Sequence, residues 1–91
     1  MLEETLLYDY YGELLTEKQK NYFEDYYFNN LTLQEISENN NVSKNNAHKI
    51  IKESKEKLNY YESKLKLIEK SNEIKKIIKD ENILEQIEKY I

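Results

Sequence analysis

The chain has 91 residues, enough for one domain with its own core, and a formal net charge of -4 from 14 basic and 18 acidic residues. It has no Cys, which excludes a disulfide frame and a thiolate metal site, and no apolar run approaches the roughly 20 residues of a membrane span. The acidic start MLEETLLYDYY is unlike the basic start of a signal peptide, so the expected location is the cytoplasm.

Pro is absent and Gly12 is the only glycine, while Glu, Lys, Leu and Ile abound, so the expected fold is all-α. Leu2, Leu6, Leu7, Tyr10, Tyr11 and Leu14 fall on one stripe and predict a first helix. Thr16, with Gln19 three residues on, reads as the capping box of a second helix. Its apolar set is Tyr22, Phe23, Tyr26 and Tyr27, and Asn29 and Asn30 can end it. Thr32 caps a short third helix that turns Leu33 and Ile36 inward. Asn39, Asn40 and Asn41 close that helix, and Ser43 caps a fourth.

The fourth helix is predicted to be long. Ala47, Ile51, Ser54, Leu58, Tyr61, Leu65 and Ile68 advance in steps of four and three, a heptad-like seam with Ser54 as its weak point. Its first half packs on the preceding helices. Its second half runs past them and needs a partner, so Leu58, Tyr61, Leu65 and Ile68 are the expected interface of a homo-oligomer. Ser71 or Asn72 interrupts the helix. The tail, with Ile74, Ile77, Ile78, Ile83, Leu84, Ile87 and Ile91, is amphipathic and either folds back as a hairpin or docks on another chain. The expected organisation is a domain over residues 1–70 and a helical extension over residues 71–91.

Residues 31–52, LTLQEISENNNVSKNNAHKIIK, have helix-turn-helix spacing. Ser37 supplies the small residue where the two helices cross. Asn41 stands where the turn needs a positive φ, normally met by Gly. Val42 plugs the angle, and Leu33, Ile36, Val42, Ala47, Ile50 and Ile51 form one small core. Charge changes sign at the same place. Residues 1–42 hold 2 Lys against 9 acids, a balance of -7; residues 43–70 hold 8 against 4, or +4; residues 71–91 hold 4 against 5, or -1. All 14 basic residues are Lys, a bias that AT-rich coding explains without a functional choice.

If the fourth helix enters a major groove, its first turns supply the contacts. Asn45, Asn46, His48 and Lys49 then face bases, and Lys44 and Lys52 lie nearer phosphates. Lys44, Lys49, Lys52, Lys55 and Lys57 make a cationic strip. The competing reading is a solvated or protein-facing surface. His48 has no second His or Cys with which to bind a metal. Helical spacing assigns most of the tyrosines to packing rather than to base stacking. The pairs Glu3–Glu4 and Glu24–Asp25 lack any pocket-forming pattern. With no nucleophile, phosphate loop or cofactor motif, the chain is not expected to be an enzyme.

The pieces YDYYGELLTEKQKNYFEDYY, LTLQEIS, VSKNNAHKIIK and LNYYESKLKLIEK resemble the promoter-reading C-terminal domain of bacterial sigma factors. They resemble more closely the YlxM family of small bacterial helix-turn-helix proteins. The resemblance spans roughly residues 5–70. Ala47 stands where a larger apolar residue is usual, and the tail beyond Ser71 aligns with nothing. The resemblance implies a helix-turn-helix bundle, a regulatory or DNA-binding role, and an association with the signal recognition particle pathway through its RNA or its GTPase. Three functions follow: a DNA-binding regulator, a signal recognition particle accessory, or a dimeric scaffold without nucleic acid.

Overall fold

The computed structural model describes residues 3–77 together with 88 and 89. In chain order it contains α1 (Glu4–Tyr11), a 3-10 turn (Gly12–Leu14), α2 (Glu17–Tyr27), α3 (Leu33–Asn40), α4 (Lys44–Leu65) and α5 (Leu67–Ile77). No described helix is long and apolar enough to cross a membrane.

The helix starts follow their caps. Thr16 Oγ1 accepts the Gln19 N–H at 3.1 Å while Gln19 Oε1 accepts the Thr16 N–H at 3.0 Å. Thr32 and Glu35 repeat this reciprocal box at the same distances. Each box satisfies two donors that a helix start leaves without intrahelical partners, worth about 1 kcal/mol. Between these helices, Asn30 takes φ 56°, a left-handed position that Asn tolerates better than most residues.

Helix α4 is the spine. Its 22 residues span about 33 Å at 1.5 Å per residue and serve two apolar clusters. Near its start, Ala47 and Ile51 pack with Tyr22 and Ile36, and Leu31, Leu33, Val42 and Ile50 pack at the edge. Further along, Leu58 packs with Leu7, Tyr11, Leu15, Phe23 and Ile68. Tyr27 borders both clusters. Ser54 is wholly buried, yet its hydroxyl donates to the Ile50 carbonyl at 2.7 Å. The weak point of the seam therefore leaves no unsatisfied donor.

Two boundaries differ from the sequence expectation. Helix α1 stops at Tyr11, and the tighter 3-10 turn changes the angular register. Leu15 consequently enters the core while Leu14 stays exposed. Leu2, assigned to the same stripe, lies outside the described residues.

The second difference is larger. The fourth helix ends at Leu65 rather than at Ser71 or Asn72, because Lys66 adopts φ 54° and ψ 33°. Helix α5 starts at once and crosses the boundary expected between residues 70 and 71. Glu62 holds this elbow. Its Oε1 accepts the Ile68 N–H at 3.1 Å and its Oε2 the Glu69 N–H at 3.2 Å. Tyr11 donates its hydroxyl to Glu62 at 2.5 Å and accepts the Leu67 N–H at 3.2 Å. The start of α5 is thus capped by Glu62 from the last turn of α4 and by Tyr11, which is remote in sequence.

The elbow divides the seam expected to join two copies. Leu58 and Ile68 are 0% and 1% exposed within the chain's own core. Tyr61 is half-buried against that core, and Leu65 is 45% exposed. Of the apolar tail, Ile74 is half-buried and Ile77 exposed. Ile78, Ile83, Leu84, Ile87 and Ile91 lie outside the described residues.

Candidate nucleic-acid interface

The turn between α3 and α4 has the geometry its sequence requires. Asn41 sits at φ 56° and ψ 43°. The Asn41 N–H donates to the Glu38 carbonyl at 3.4 Å and the Val42 N–H to the Ser37 carbonyl at 3.0 Å. This pair of bonds is a Schellman motif, which satisfies the last carbonyls of α3. Ser37 is buried, and its hydroxyl donates to the Gln34 carbonyl at 2.7 Å. On the far side, Ser43 Oγ accepts the Asn46 N–H at 3.0 Å and opens α4. Ile36, Ala47 and Ile51 close the angle from within, while Leu33, Val42 and Ile50 pack partly buried around them.

The start of α4 differs electrically from the other helix starts. Glu4, Glu17, Glu35 and Glu69 lie in the first turns of α1, α2, α3 and α5, whereas α4 has no acid there and begins with Lys44. A cation at the positive end of a helix dipole is locally unfavourable by about 0.3–1 kcal/mol. It becomes favourable when an anion is shared between the lysine and the free N–H groups.

Ala47, Ile51, Ser54 and Leu58 mark the inner stripe of α4. Lys44, Asn45, His48, Lys49 and Lys52 are exposed, and Asn46 is half-buried. The six expected contact residues thus flank one stretch of helix outside the core, although Asn46 is less accessible than the rest.

The cationic strip is thinner than its sequence suggests. Lys55 Nζ pairs with Glu4 at 2.8 Å, fastening α4 to α1. Their hydrogen bond raises the lysine pKa and lowers that of the carboxylate. Lys57 reaches Gln19 Oε1 at 3.4 Å, next to another element. Lys49 lies 4.0 Å from Glu53 in an exposed pair of little energetic weight. Among the described residues, Lys44 and Lys52 have no carboxylate partner. Lys44, Lys49 and Lys52 are therefore the cations left to meet a ligand.

Sequence reasoning missed the contacts that join distant elements. Tyr8 donates to Glu24 at 2.6 Å, Tyr11 to Glu62, and Lys55 to Glu4. No local spacing announces them, since the partners are 16 or more residues apart. A cavity of about 160 Å³ was also missed. It lies beside the exposed face, between Tyr26 and Tyr27 of α2, Leu33 of α3, and His48 and Lys52 of α4. Tyr26, expected in the apolar set of α2, is 38% exposed there.

Two capped helices around a left-handed turn, with a polar outer face on the second, define a helix-turn-helix protein. The family model described as "Putative helix-turn-helix protein, YlxM / p13 like", UPF0122, matches residues 1–91. The chain belongs to that family. It is 52% identical over 86 residues to a UPF0122 protein of Malacoplasma penetrans, covering 91% of this chain and 80% of that relative. It is 46% identical over 74 residues to one of Caldanaerobacter subterraneus subsp. tengcongensis, covering 81% of this chain and 63% of the relative. A Clostridium perfringens UPF0122 protein is 41% identical over 97 residues, covering 98% of this chain and 87% of its own.

Proposed function

We propose that this is a non-enzymatic regulatory protein that binds nucleic acid through the start of α4. The observation that carries the reading is the helix-turn-helix with a lysine, and no acid, in the first turn of its second helix. Lys44 and Lys52 take phosphates. Asn45, His48 and Lys49 are exposed for base edges, with Asn46 contributing from a more covered position. Fold alone does not establish function. The support lies in these side chains and in the local reversal of charge from -7 over residues 1–42 to +4 over residues 43–70.

The resemblance noted in the sequence extends the proposal to the signal recognition particle pathway, with its RNA or its GTPase as partner. Fluorescence anisotropy with duplex DNA, that RNA and that GTPase, each titrated separately, tests it. Saturable binding to one nucleic acid supports the reading, and binding to the GTPase alone replaces it with a protein-binding accessory. The acidic body, at -7 over residues 1–42, favours this second reading over a high-affinity DNA regulator.

Homo-oligomerisation has narrower support. Leu58 and Ile68 are already covered by the chain itself, so a second copy meets Leu65 and the accessible part of Tyr61 unless α5 moves away.

A further inference from the structure

The cavity beside α4 exposes an aromatic ring, Tyr26, that neither the buried core nor the proposed groove contacts use. Its walls include Tyr26, Tyr27, Leu33 and Ile51, and His48 and Lys52 also border it. Tyr26 and Tyr27 meet edge to face, with centroids 5.0 Å apart and an interplanar angle of 88°. Tyr26 nonetheless keeps more than a third of its surface in solvent. Lys55 borders the cavity too, but its ammonium is held by Glu4. Lys52 is the bordering cation without a carboxylate partner among the described residues.

An aromatic hollow with one available cation at its edge fits a flat apolar group that carries a nearby negative charge. His48 and Lys52 belong both to this hollow and to the proposed nucleic-acid face. A strand lying along α4 with a phosphate at Lys52 therefore passes the cavity mouth. In continuous duplex every base is paired inside the helix, and the hollow stays empty. A base outside the stack can enter and meet tyrosine, as unpaired bases do on aromatic platforms.

We propose that the cavity takes one unpaired nucleobase of a strand whose phosphate is held at Lys52. This rests on the nucleic-acid reading above and narrows it: the preferred ligand has a bulged or single-stranded base next to duplex. Binding needs no movement of the core, because the walls are already placed by α2, α3 and α4. Selectivity among bases is modest, since stacking is tolerant of base identity.

The test compares an RNA stem carrying one bulged 2-aminopurine with the same stem fully paired. Both are titrated against the parent protein, Tyr26→Ala, Tyr26→Phe and Lys44→Glu. The expected result is about 10-fold tighter binding of the bulged stem, near 1.4 kcal/mol, with the 2-aminopurine fluorescence quenched on binding. Tyr26→Ala removes that preference and Tyr26→Phe keeps it. Lys44→Glu weakens both stems alike, because it acts on the shared phosphate contacts. Circular dichroism checks that each variant is folded, and the quenching of the parent complex stands without any variant.

Equal affinity for the two stems, or a bulge whose fluorescence does not change, overturns the base pocket while leaving the nucleic-acid reading intact. Failure of every oligonucleotide to bind overturns both. A short acidic peptide containing Phe is titrated in parallel. Peptide binding that depends on Tyr26, without any preference for the bulge, assigns the hollow to a protein partner and also overturns the proposal.

Discussion

At Asn41 the backbone stands in the left-handed region, where a Cβ is costly and Asn pays part of the penalty through its short polar side chain. Replacing it with Gly removes the strain but frees the unfolded chain, so the two effects oppose. The expected outcome for Asn41→Gly is a gain of between about 0 and 1 kcal/mol in urea unfolding. A clear loss would show that the side chain does more than permit the turn. Val42 next to it is half-buried against Ile36 and its neighbours, so Val42→Asp is expected to cost about 1–3 kcal/mol in the same measurement.

Tyr11 gives a residue-scale prediction in pH. Burial first, then its bond to Glu62, raises its phenol from 10.0 to about 12. The fold therefore favours the neutral phenol. That contribution is complete below about pH 10, where the unfolded phenol titrates, and is lost as the pH rises through about 12. Urea melts across this window are expected to show a steeper alkaline loss in the parent than in Tyr11→Phe. Parallel curves would contradict the assignment.

Among the elements, the α4–α5 elbow shows what the sequence could and could not disclose. The caps Thr16, Thr32 and Ser43 and the turn at Asn41 were legible because each rests on residues three or four apart. The break at Lys66 was not. The run KLKLIEK contains no Gly or Pro, and its seam continues in step through Ile68. What bends the chain there is Glu62 together with Tyr11, 51 residues away. The candidate site divides in the same way. The exposed face of α4 followed from its inner stripe, whereas the loss of Lys55 to Glu4 and the hollow beside Tyr26 depend on contacts between helices.

Glu62→Ala tests the elbow itself. It leaves the Ile68 and Glu69 N–H groups and the Tyr11 hydroxyl without their acceptor, at a cost of about 1–3 kcal/mol for a buried donor. Hydrogen exchange at Ile68 and Glu69 is expected to accelerate more than at Ala47 or Ile51. Uniform exchange across all four amides would mean that the elbow is held by something else.

On the scale of the molecule, α4 links a helix-turn-helix end to a second cluster that uses up much of its seam. With Leu58 and Ile68 covered, the part of that seam left for a second copy among the described residues is Leu65 and the accessible face of Tyr61, whereas a stable interface buries about 1,200–2,000 Å². Sedimentation at micromolar concentration is expected to find a monomer. A stable dimer would show that α5 leaves its place or that another face associates.

The proposed phosphate contact lies at the first turns of α4. Its most direct test is one binding titration against duplex and bulged RNA at several salt concentrations, with the Lys44→Glu, Lys52→Glu double variant beside the parent. Both lysines are exposed and no ion pair among the described residues uses them, so the variant is expected to keep its helicity. With Lys44, Lys49 and Lys52 as the available cations, about three phosphates are neutralised. The log–log slope of affinity against salt is then expected near ~-2 to -3, and the double variant is expected to lose measurable binding. Unchanged affinity in that variant, or binding indifferent to salt, would contradict the claim and leave the helix-turn-helix as a protein-binding scaffold.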